Sequence, residues 1–172
     1  PEMLEQARRR GSHKRLVEAD VTATGLPGAQ YDLVIASLVD EHLSELGPLY
    51  TEARRLARPA AAFVLVAFHP HFIMHTGMPT HFRTADGEDV AIATTVHLMS
   101  DHVAAAHAAG WRLAELREGV VDDRWVAVKP RWERHRGASG VGRLCLARRL
   151  TVAQRTVRRA RNSDHTTFAC AQ

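Results

Sequence analysis

The middle of the chain contains two apolar runs separated by one amphipathic segment. The first run, residues 31–36 (YDLVIA), is almost wholly apolar, which is typical of a strand buried on both faces of a parallel sheet. Residues 46–56 carry apolar side chains at helical spacing and place Glu52 among the polar side chains of the opposite face. Pro59 is predicted to end this helix, and residues 63–68 form the second apolar run. We therefore predict a strand–helix–strand unit whose strands are parallel neighbours at the centre of a sheet.

Polar stretches directly follow both predicted strands. Residues 37–42 follow the first strand, and residues 69–71 follow the second. Ligands of open parallel sheets bind outside the carboxyl ends of the strands. Both stretches are therefore predicted to lie on the rim of one site.

The flanking segments predict several smaller elements. Residues 1–10 suit an amphipathic helix, and residues 16–20 (LVEAD) are predicted to form a short strand at an edge of the sheet. Residues 69–82 hold two prolines, a glycine and four histidines, so we interpret them as an irregular binding or lid loop. Residues 101–109 suit a helix, and residues 111–118 favour a further strand.

Composition is ordinary for a soluble globular domain, with 45% hydrophobic and 24% charged residues, but the charge is uneven. Residues 137–172 hold seven arginines against one acidic residue, whereas the rest of the chain is slightly acidic. We therefore predict two parts, a folded domain over residues 1–136 and a basic, poorly patterned tail over residues 137–172. Nucleic-acid binding is not favoured, because the tail lacks aromatic residues interleaved with its arginines and the body is acidic.

The sequence also indicates a compartment. No apolar run approaches the roughly 18 residues of a membrane span. The two cysteines, Cys145 and Cys170, suggest no disulfide framework. We therefore expect no membrane partner and a reducing, cytoplasmic environment.

Five segments together resemble the class I S-adenosylmethionine-dependent methyltransferases, in particular the small-molecule group that includes enzymes of the ubiquinone-biosynthesis type. They occur in the family's order over about residues 1–128 and read PEMLEQA, LVEADVTATGLP, YDLVIASLVDEHL, EARRLARPAAAFVLVAFHP and AAHAAGWRLAEL. The resemblance implies an α/β, Rossmann-like, mostly parallel sheet with flanking helices. It also implies S-adenosylmethionine as the cofactor and methyl transfer to a small-molecule acceptor.

Two features depart from the family's pattern. The family's first strand and glycine-rich loop, and the acidic residue that holds the cofactor ribose, would precede Pro1. At the other end, residues 137–172 look unrelated to the family's last strand, as a shifted reading frame would produce. We therefore interpret the chain as a fragment with an incomplete sheet, and we expect it to be inactive by itself.

The resemblance assigns the cofactor-binding residues one by one. Asp20 stands where the family has a carboxylate that accepts a hydrogen bond from the adenine amino group, and Val21 offers its backbone beside it. Met3 falls where an apolar side chain covers the adenine ring. Three residues after the first predicted strand match the segment that lines the cofactor: Ala36, Ser37 and Leu38. From the residues alone, Asp20 also suits a turn cap, and Met3 also suits a core contact.

The histidines after the second predicted strand have three interpretations. The resemblance places them in the acceptor pocket, where His69 and His71 are candidates to orient the acceptor or to remove its proton. The other residues predicted to line this pocket are His42, His75, Thr76 and His81. The same imidazoles also suit hydrogen bonds to loop carbonyls, or the binding of zinc or iron. Their spacing matches no common zinc pattern, so we assign no metal ligand.

Methyl transfer depends mainly on how the protein aligns the methyl donor with the acceptor, because the sulfonium of the cofactor is already activated. A general base is needed only where the acceptor has a high pKa, and Asp40, Glu41 and His42 are the next candidates after the histidines. Two other classes stay open: a histidine-rich, metal-binding α/β protein, and a non-catalytic remnant of the fold.

Overall fold

The computed structural model describes residues 2–77, 80–84 and 86–147, with the side chains of residues 2, 3 and 80–83 left outside the description. The helices and strands of these ranges, in chain order, are α1 (Glu2–Arg10), β1 (Tyr31–Ser37), α2 (Gly47–Leu56), β2 (Ala57–Phe68), α3 (Pro70–Thr76), β3 (Thr80–Arg83), β4 (Asp89–Ile92), α4 (Met99–Ala108), β5 (Arg112–Val120), α5 (Asp123–Val128) and β6 (Ser139–Ala147). Short 3-10 helices cover Asp40–His42 and Pro130–His135.

Four strands form one mixed sheet in the order β1–β2–β6–β5. The strands β1 and β2 are parallel, with Val34 opposite Phe63, which confirms the predicted strand–helix–strand unit and the α/β fold with flanking helices. Strand β6 is antiparallel to both of its neighbours, β2 and β5. The sheet is therefore mixed rather than mostly parallel. Within the described residues, β2 is interior and β1 lies at one end instead of at the centre.

The core forms where α2 packs on the sheet. Tyr50 of α2 is fully buried, and its ring meets Phe63 of β2 edge-on with the centroids 5.5 Å apart. Trp111 lies beyond Phe63 at a centroid distance of 5.6 Å and donates its indole N–H to the Tyr50 carbonyl oxygen over 3.0 Å. Helix α2 ends at Leu56, before Pro59, which lies within the first residues of β2. The helix therefore ends where the predicted helical pattern of residues 46–56 ends, and Pro59 belongs to the following strand.

The short strand predicted over residues 16–20 is wrong. The only β-type pairing there within the described residues is an isolated bridge between Asp20 and Ala23. The Asp20 carboxylate accepts hydrogen bonds from the backbone N–H and the hydroxyl of Thr22, at 2.7 and 2.6 Å. Such a local turn competes with pairing along a strand. The segment instead lies alongside β1 through Leu16 and Val21.

The irregular loop predicted over residues 69–82 contains regular structure. His69 is the N-cap of α3, and its side chain accepts the His71 backbone N–H over 3.1 Å. Pro70 occupies the first turn, where its missing N–H costs nothing, and Gly77 ends the helix at φ 57°. Residues 80–83 then pair with β4. The prolines and the glycine that suggested a loop are therefore helix-boundary residues.

The predicted boundary between a folded domain and a tail does not hold at residue 137. Strand β6 lies between β2 and β5, and its Leu144 and Leu146 are at most 1% exposed. In the sequence, the charged Arg143 interrupts the apolar pattern of this strand, so the strand was not predicted. Its guanidinium reaches the Glu115 carboxylate of β5 over 3.0 Å, so a charged residue is accommodated within the sheet. The part of the prediction that concerns residues 148–172 lies outside the described residues.

Glu52 is buried rather than on the solvent face of α2, with 6% of its surface exposed. Its carboxylate accepts the Thr24 N–H and hydroxyl at 3.0 and 2.5 Å. It also accepts two guanidinium N–H groups of Arg55, both at 2.7 Å. The hydrogen bonds from Arg55, followed by those from Thr24, lower the pKa of Glu52 to about 2. This carboxylate ties the segment before β1 to α2.

We expect Glu52→Gln to lower the unfolding temperature at pH 7, because the substitution removes the charge that these donors surround. The folded-state pKa of about 2 lies below the ordinary value of 4.5, so the stabilisation is present above pH 4.5 and is lost as the pH falls through 2. The loss at pH 7 should be about 1–3 kcal/mol. Thermal unfolding at pH 7 and pH 3 measures it, with the exposed Glu18→Gln as the control. An equal loss at both pH values would contradict the assignment.

Candidate functional site

The first predicted cofactor segment lies at the carboxyl end of β1. Ala36 is 9% exposed, whereas Ser37 and Leu38 are open to solvent. Leu38 adopts a positive φ of 53°, which is strained for a residue with a branched side chain. Its N–H donates to the Val66 carbonyl of β2 over 2.8 Å, which holds the strained turn in place. The structure therefore presents this backbone at the strand-end edge of the sheet, as predicted.

The second predicted cofactor segment is the turn at Asp20. Asp20 is exposed, and its hydrogen bonds to the side chain and backbone of Thr22 lower its pKa. Val21 is half-buried and packs against the core. The side chain of Met3 lies outside the described residues. The turn-cap interpretation of Asp20 is thus satisfied, and the carboxylate also remains accessible to solvent.

An apolar cavity of about 80 Å³ connects these two segments. Val21 lies at its wall on one side and Ala36 on the other. The cavity continues along β1 and beneath α2, where Leu33, Leu49 and other aliphatic side chains line it. The fold therefore brings together residues that are 15 positions apart in the sequence.

A buried polar cluster lies directly beyond β1, on the 3-10 helix Asp40–His42. Asp40 and Glu41 are 3% and 2% exposed, and His102 of α4 is fully buried beside them. The His102 Nε2 atom is 3.4 Å from an Asp40 carboxylate oxygen. Its Nδ1 atom is 3.0 Å from the Tyr50 hydroxyl. Desolvation and the charge of Asp40 raise the pKa of Tyr50.

Four buried atoms of this cluster have no hydrogen-bond partner among the described residues: Asp40 Oδ1, Glu41 Oε2, His42 Nδ1 and His102 Nε2. Burial raises the pKa of Glu41 to about 7, and the adjacent Asp40 carboxylate adds to the shift. The Glu41 carboxyl is therefore protonated over part of the physiological pH range. Buried groups with this titration behaviour occur at functional sites and also in structural networks.

The segment between β4 and α4 covers this cluster. Thr95 donates its N–H to the Glu41 carbonyl over 2.7 Å. His97 Nε2 lies 2.8 Å from the Leu43 carbonyl oxygen. The rings of His97 and His102 are 6.0 Å apart. The cluster is thus enclosed by the chain and has little direct access to a ligand in this conformation.

Sequence reasoning missed His102 and Tyr50 as members of this cluster. His102 and Ala106 are four residues apart and both are buried, so they share the inward face of α4. That spacing was the available signal. Because α4 has alanines on several of its faces, the signal is weak in the sequence alone.

Three of the predicted pocket histidines lie close together but differ in their hydrogen bonding. Both ring nitrogens of His69 are engaged: Nδ1 accepts from the His71 N–H, and Nε2 is 2.6 Å from a Glu118 carboxylate oxygen. His71 and His75 are exposed on α3, with parallel rings. The three histidines therefore lie together beyond β2, but they differ in how accessible their rings are to a ligand.

The remaining predicted pocket residues are distributed around this region. The Thr76 hydroxyl donates to the Phe72 carbonyl over 2.7 Å, so its proton is used within α3. His42 lies in the buried cluster, with Nε2 3.8 Å from a Glu41 carboxylate oxygen. The side chain of His81 lies outside the described residues. Three of the predicted residues, His69, His71 and His75, thus form the described histidine surface.

Within the described residues, no group of three or more histidine, cysteine, aspartate or glutamate side chains is arranged to hold a metal ion. Among the helices of the same residues, none has the length and apolar character that crossing a membrane requires.

The sequence of residues 1–65 matches the family model of a methyltransferase domain. None of the curated proteins matches the chain in sequence. The family match covers α1, β1, α2 and most of β2. It therefore includes both segments that meet at the cavity.

Solved structures resemble the fold over most of the chain. An S-adenosylmethionine-dependent methyltransferase from Mesorhizobium loti is 16% identical with a TM-score of 0.56, covering 76% of this chain and 68% of that chain. One from Clostridium acetobutylicum is 10% identical with a TM-score of 0.62, covering 85% and 71%. A DhpI–SAH complex is 16% identical with a TM-score of 0.55, covering 84% and 60%. At these identities the likeness establishes the fold.

Proposed function

We propose that this chain is an S-adenosylmethionine-dependent methyltransferase that methylates a small-molecule acceptor, because it has the fold of such enzymes and matches a methyltransferase domain over residues 1–65. The observation that carries the proposal is the exposure of Ser37 and Leu38 at the carboxyl end of β1, beside a cavity that Val21 and Ala36 line together with residues along the whole strand. Ligands of α/β sheets bind at this edge. We further propose the cytoplasm as the compartment.

The residues at this edge fit the adenine end of the cofactor. The exposed Asp20 carboxylate suits the adenine amino group, and Val21 offers a backbone group and an apolar wall. Ser37 and Leu38 are exposed just beyond Ala36, and Leu38 has the strained backbone conformation that often marks a ligand site. When bound, S-adenosylmethionine supplies a methyl group that is already activated on a sulfonium. The chain's contribution is then to bind, to orient and to exclude water.

The acceptor side is proposed to lie at the histidine surface beyond β2. The engaged nitrogens of His69 make it a residue that shapes this surface rather than a free base, because proton transfer would require breaking one of its hydrogen bonds. His71 is exposed and adjacent to it. We therefore propose that His71 orients the acceptor or accepts its proton, with His75 beside it.

We also propose that residues 1–172 by themselves bind the cofactor weakly and do not turn over. The assigned residues account for contacts to the adenine, whereas the family's glycine-rich loop and ribose carboxylate have no assigned counterpart among them. Each lost hydrogen bond to a charged group costs about 1.5–3 kcal/mol. Losing two of them weakens binding roughly a hundredfold or more.

Calorimetric titration of S-adenosylmethionine tests both parts of this proposal. The chain of residues 1–172 should bind weakly or undetectably. A version extended by the family's first strand and glycine-rich loop should bind, and Asp20→Ala should then weaken its binding by about tenfold or more. Asp32→Ala is the matched control, because Asp32 is an exposed carboxylate near the opposite end of β1.

Three results would contradict the proposal in different ways. Tight binding by residues 1–172 would refute the proposal that these residues by themselves bind the cofactor weakly. Binding by the extended chain that Asp20→Ala and Asp32→Ala affect equally would refute the adenine assignment. A failure of both chains to bind would remove the cofactor role of this edge.

A further inference from the structure

His71 and His75 form a pair on one face of α3. They are four residues apart, the spacing that places two side chains one above the other along a helix. Both side chains are exposed. Their rings are parallel to within 4°, and the ring centroids are 5.8 Å apart. Two imidazoles at this helical spacing are a recurrent way of presenting two nitrogens to one metal ion.

The separation of the rings suits a shared ion. A metal bound about 2.0–2.1 Å from one nitrogen of each imidazole holds the two ring centres roughly 5–6 Å apart at tetrahedral or wider angles. The observed 5.8 Å falls within that range without a movement of the backbone. Because the two ring planes are parallel, both side chains must rotate on the exposed helix face to aim one nitrogen of each at a common point.

The ring nitrogens of this pair are not engaged elsewhere within the described part of the chain, where no hydrogen bond or ion pair to either ring is found. Neighbouring histidines differ in this respect. His69 has both nitrogens occupied, and His135 accepts the Arg134 guanidinium N–H at Nε2 over 3.0 Å. Within the described residues, metal binding therefore breaks no hydrogen bond or ion pair of the His71 or His75 ring.

We propose that His71 and His75 form a two-ligand surface site for a divalent transition-metal ion such as Zn²⁺, Ni²⁺ or Cu²⁺. Imidazole suits these ions, whereas Mg²⁺ and Ca²⁺ prefer oxygen ligands. The remaining positions of the ion are filled by water or by an added ligand, since the described residues supply no third ligand to a common centre. The site is consequently weaker than a closed structural zinc site. It does not depend on the proposed methyl transfer.

Metal binding to the full chain is tested with NiCl₂ and ZnCl₂ by titration calorimetry at slightly alkaline pH. One ion per chain should bind, and either His71→Gln or His75→Gln should weaken its binding by about tenfold or more. Glutamine keeps the length and the helix preference of α3 while removing the imidazole. His107→Gln is the matched control, since His107 is an exposed histidine on α4. Circular dichroism of each variant verifies that the fold is retained.

The site makes two further predictions. Binding should weaken as the pH is lowered, because only neutral imidazole binds metal. MgCl₂ should give no heat of binding. The proposal is overturned if the parent chain binds neither Ni²⁺ nor Zn²⁺. It is also overturned if both glutamine variants bind as the parent does, which would place the ion elsewhere, or if His69→Gln alone removes binding.

Discussion

The Glu41→Gln variant is expected to be more stable than the parent chain at pH 8 and about equally stable at pH 5. The Glu41 carboxyl is 2% exposed, and one of its oxygens has no hydrogen-bond partner among the described residues. Burial raises its pKa from 4.5 to about 7. Ionising it in the folded state is therefore costly, and glutamine removes that ionisation.

The sign of the pH dependence follows from the raised pKa. An unfolded chain releases the Glu41 proton near pH 4.5, whereas the folded chain retains it up to about pH 7. The favourable contribution is complete below pH 4.5 and is lost as the pH rises through 7. A shift of this size corresponds to about 3 kcal/mol at pH 8. The charged and titratable neighbours of Glu41 are the adjacent Asp40 carboxylate and His42, whose Nε2 atom lies 3.8 Å from a Glu41 carboxylate oxygen. His102 lies on the other side of this cluster, against Asp40.

Thermal or urea unfolding between pH 5 and pH 8 measures this effect. The parent chain should lose stability over the interval, and Glu41→Gln should flatten the curve. Glu45→Gln is the control, because Glu45 is an exposed glutamate four residues further along the chain. A variant that is destabilised equally at both pH values would show that Glu41 serves as an ionised hydrogen-bond acceptor.

Leu144→Ala is expected to destabilise the protein by about 2–5 kcal/mol, because it leaves a cavity in the interior of the sheet. Leu144 of β6 is fully buried and stands opposite Leu65 of β2 on one side and Leu116 of β5 on the other. Leu116 is 39% exposed. Leu116→Ala is therefore a matched control that removes the same atoms from a neighbouring position, with an expected loss below about 1 kcal/mol.

Urea unfolding of the two variants measures the difference in the free energy of unfolding. A loss for Leu144→Ala as small as that for Leu116→Ala would show that β6 is not part of the stable sheet. That outcome would restore the prediction of a poorly packed chain after residue 137. A drop in the unfolding midpoint for Leu144→Ala alone establishes β6 as a structural strand.

The strand–helix–strand unit of β1, α2 and β2 could be predicted because each element carries its own periodicity. Leu49 and Ala53 follow the 3.6-residue period, and the apolar runs at β1 and β2 match strands buried on both faces. The position of residues 37–42 at the strand-end edge of the sheet followed from the same pattern. The resemblance to a family added the proposed cofactor roles of Asp20 and Val21, which local periodicity does not contain.

Strand β6 could not be predicted, because Arg143 interrupts any regular alternation of apolar and polar residues along it. That residue is tolerated through its ion pair with Glu115, which comes from a strand 28 positions earlier in the chain. The buried cluster could not be predicted either, because its contacts also come from distant parts of the chain. His102 is buried through contacts with Tyr50 and Asp40, and neither is near it in sequence. The assignment of His69 as a candidate base failed to anticipate that α3 begins there and that Glu118 lies opposite.

The sequence by itself determined the α/β character and the parallel pairing of β1 and β2, and it placed residues 37–42 at the strand-end edge of the sheet, because these depend on the order of apolar and polar residues within single elements. Only the tertiary structure decided which polar groups are buried. Desolvation and pairing depend on what other segments bring to a site, so Glu41 and Glu52, eleven positions apart, acquire pKa values shifted in opposite directions. It also decided which histidines are free, since a ring nitrogen is available only where the fold places no partner beside it.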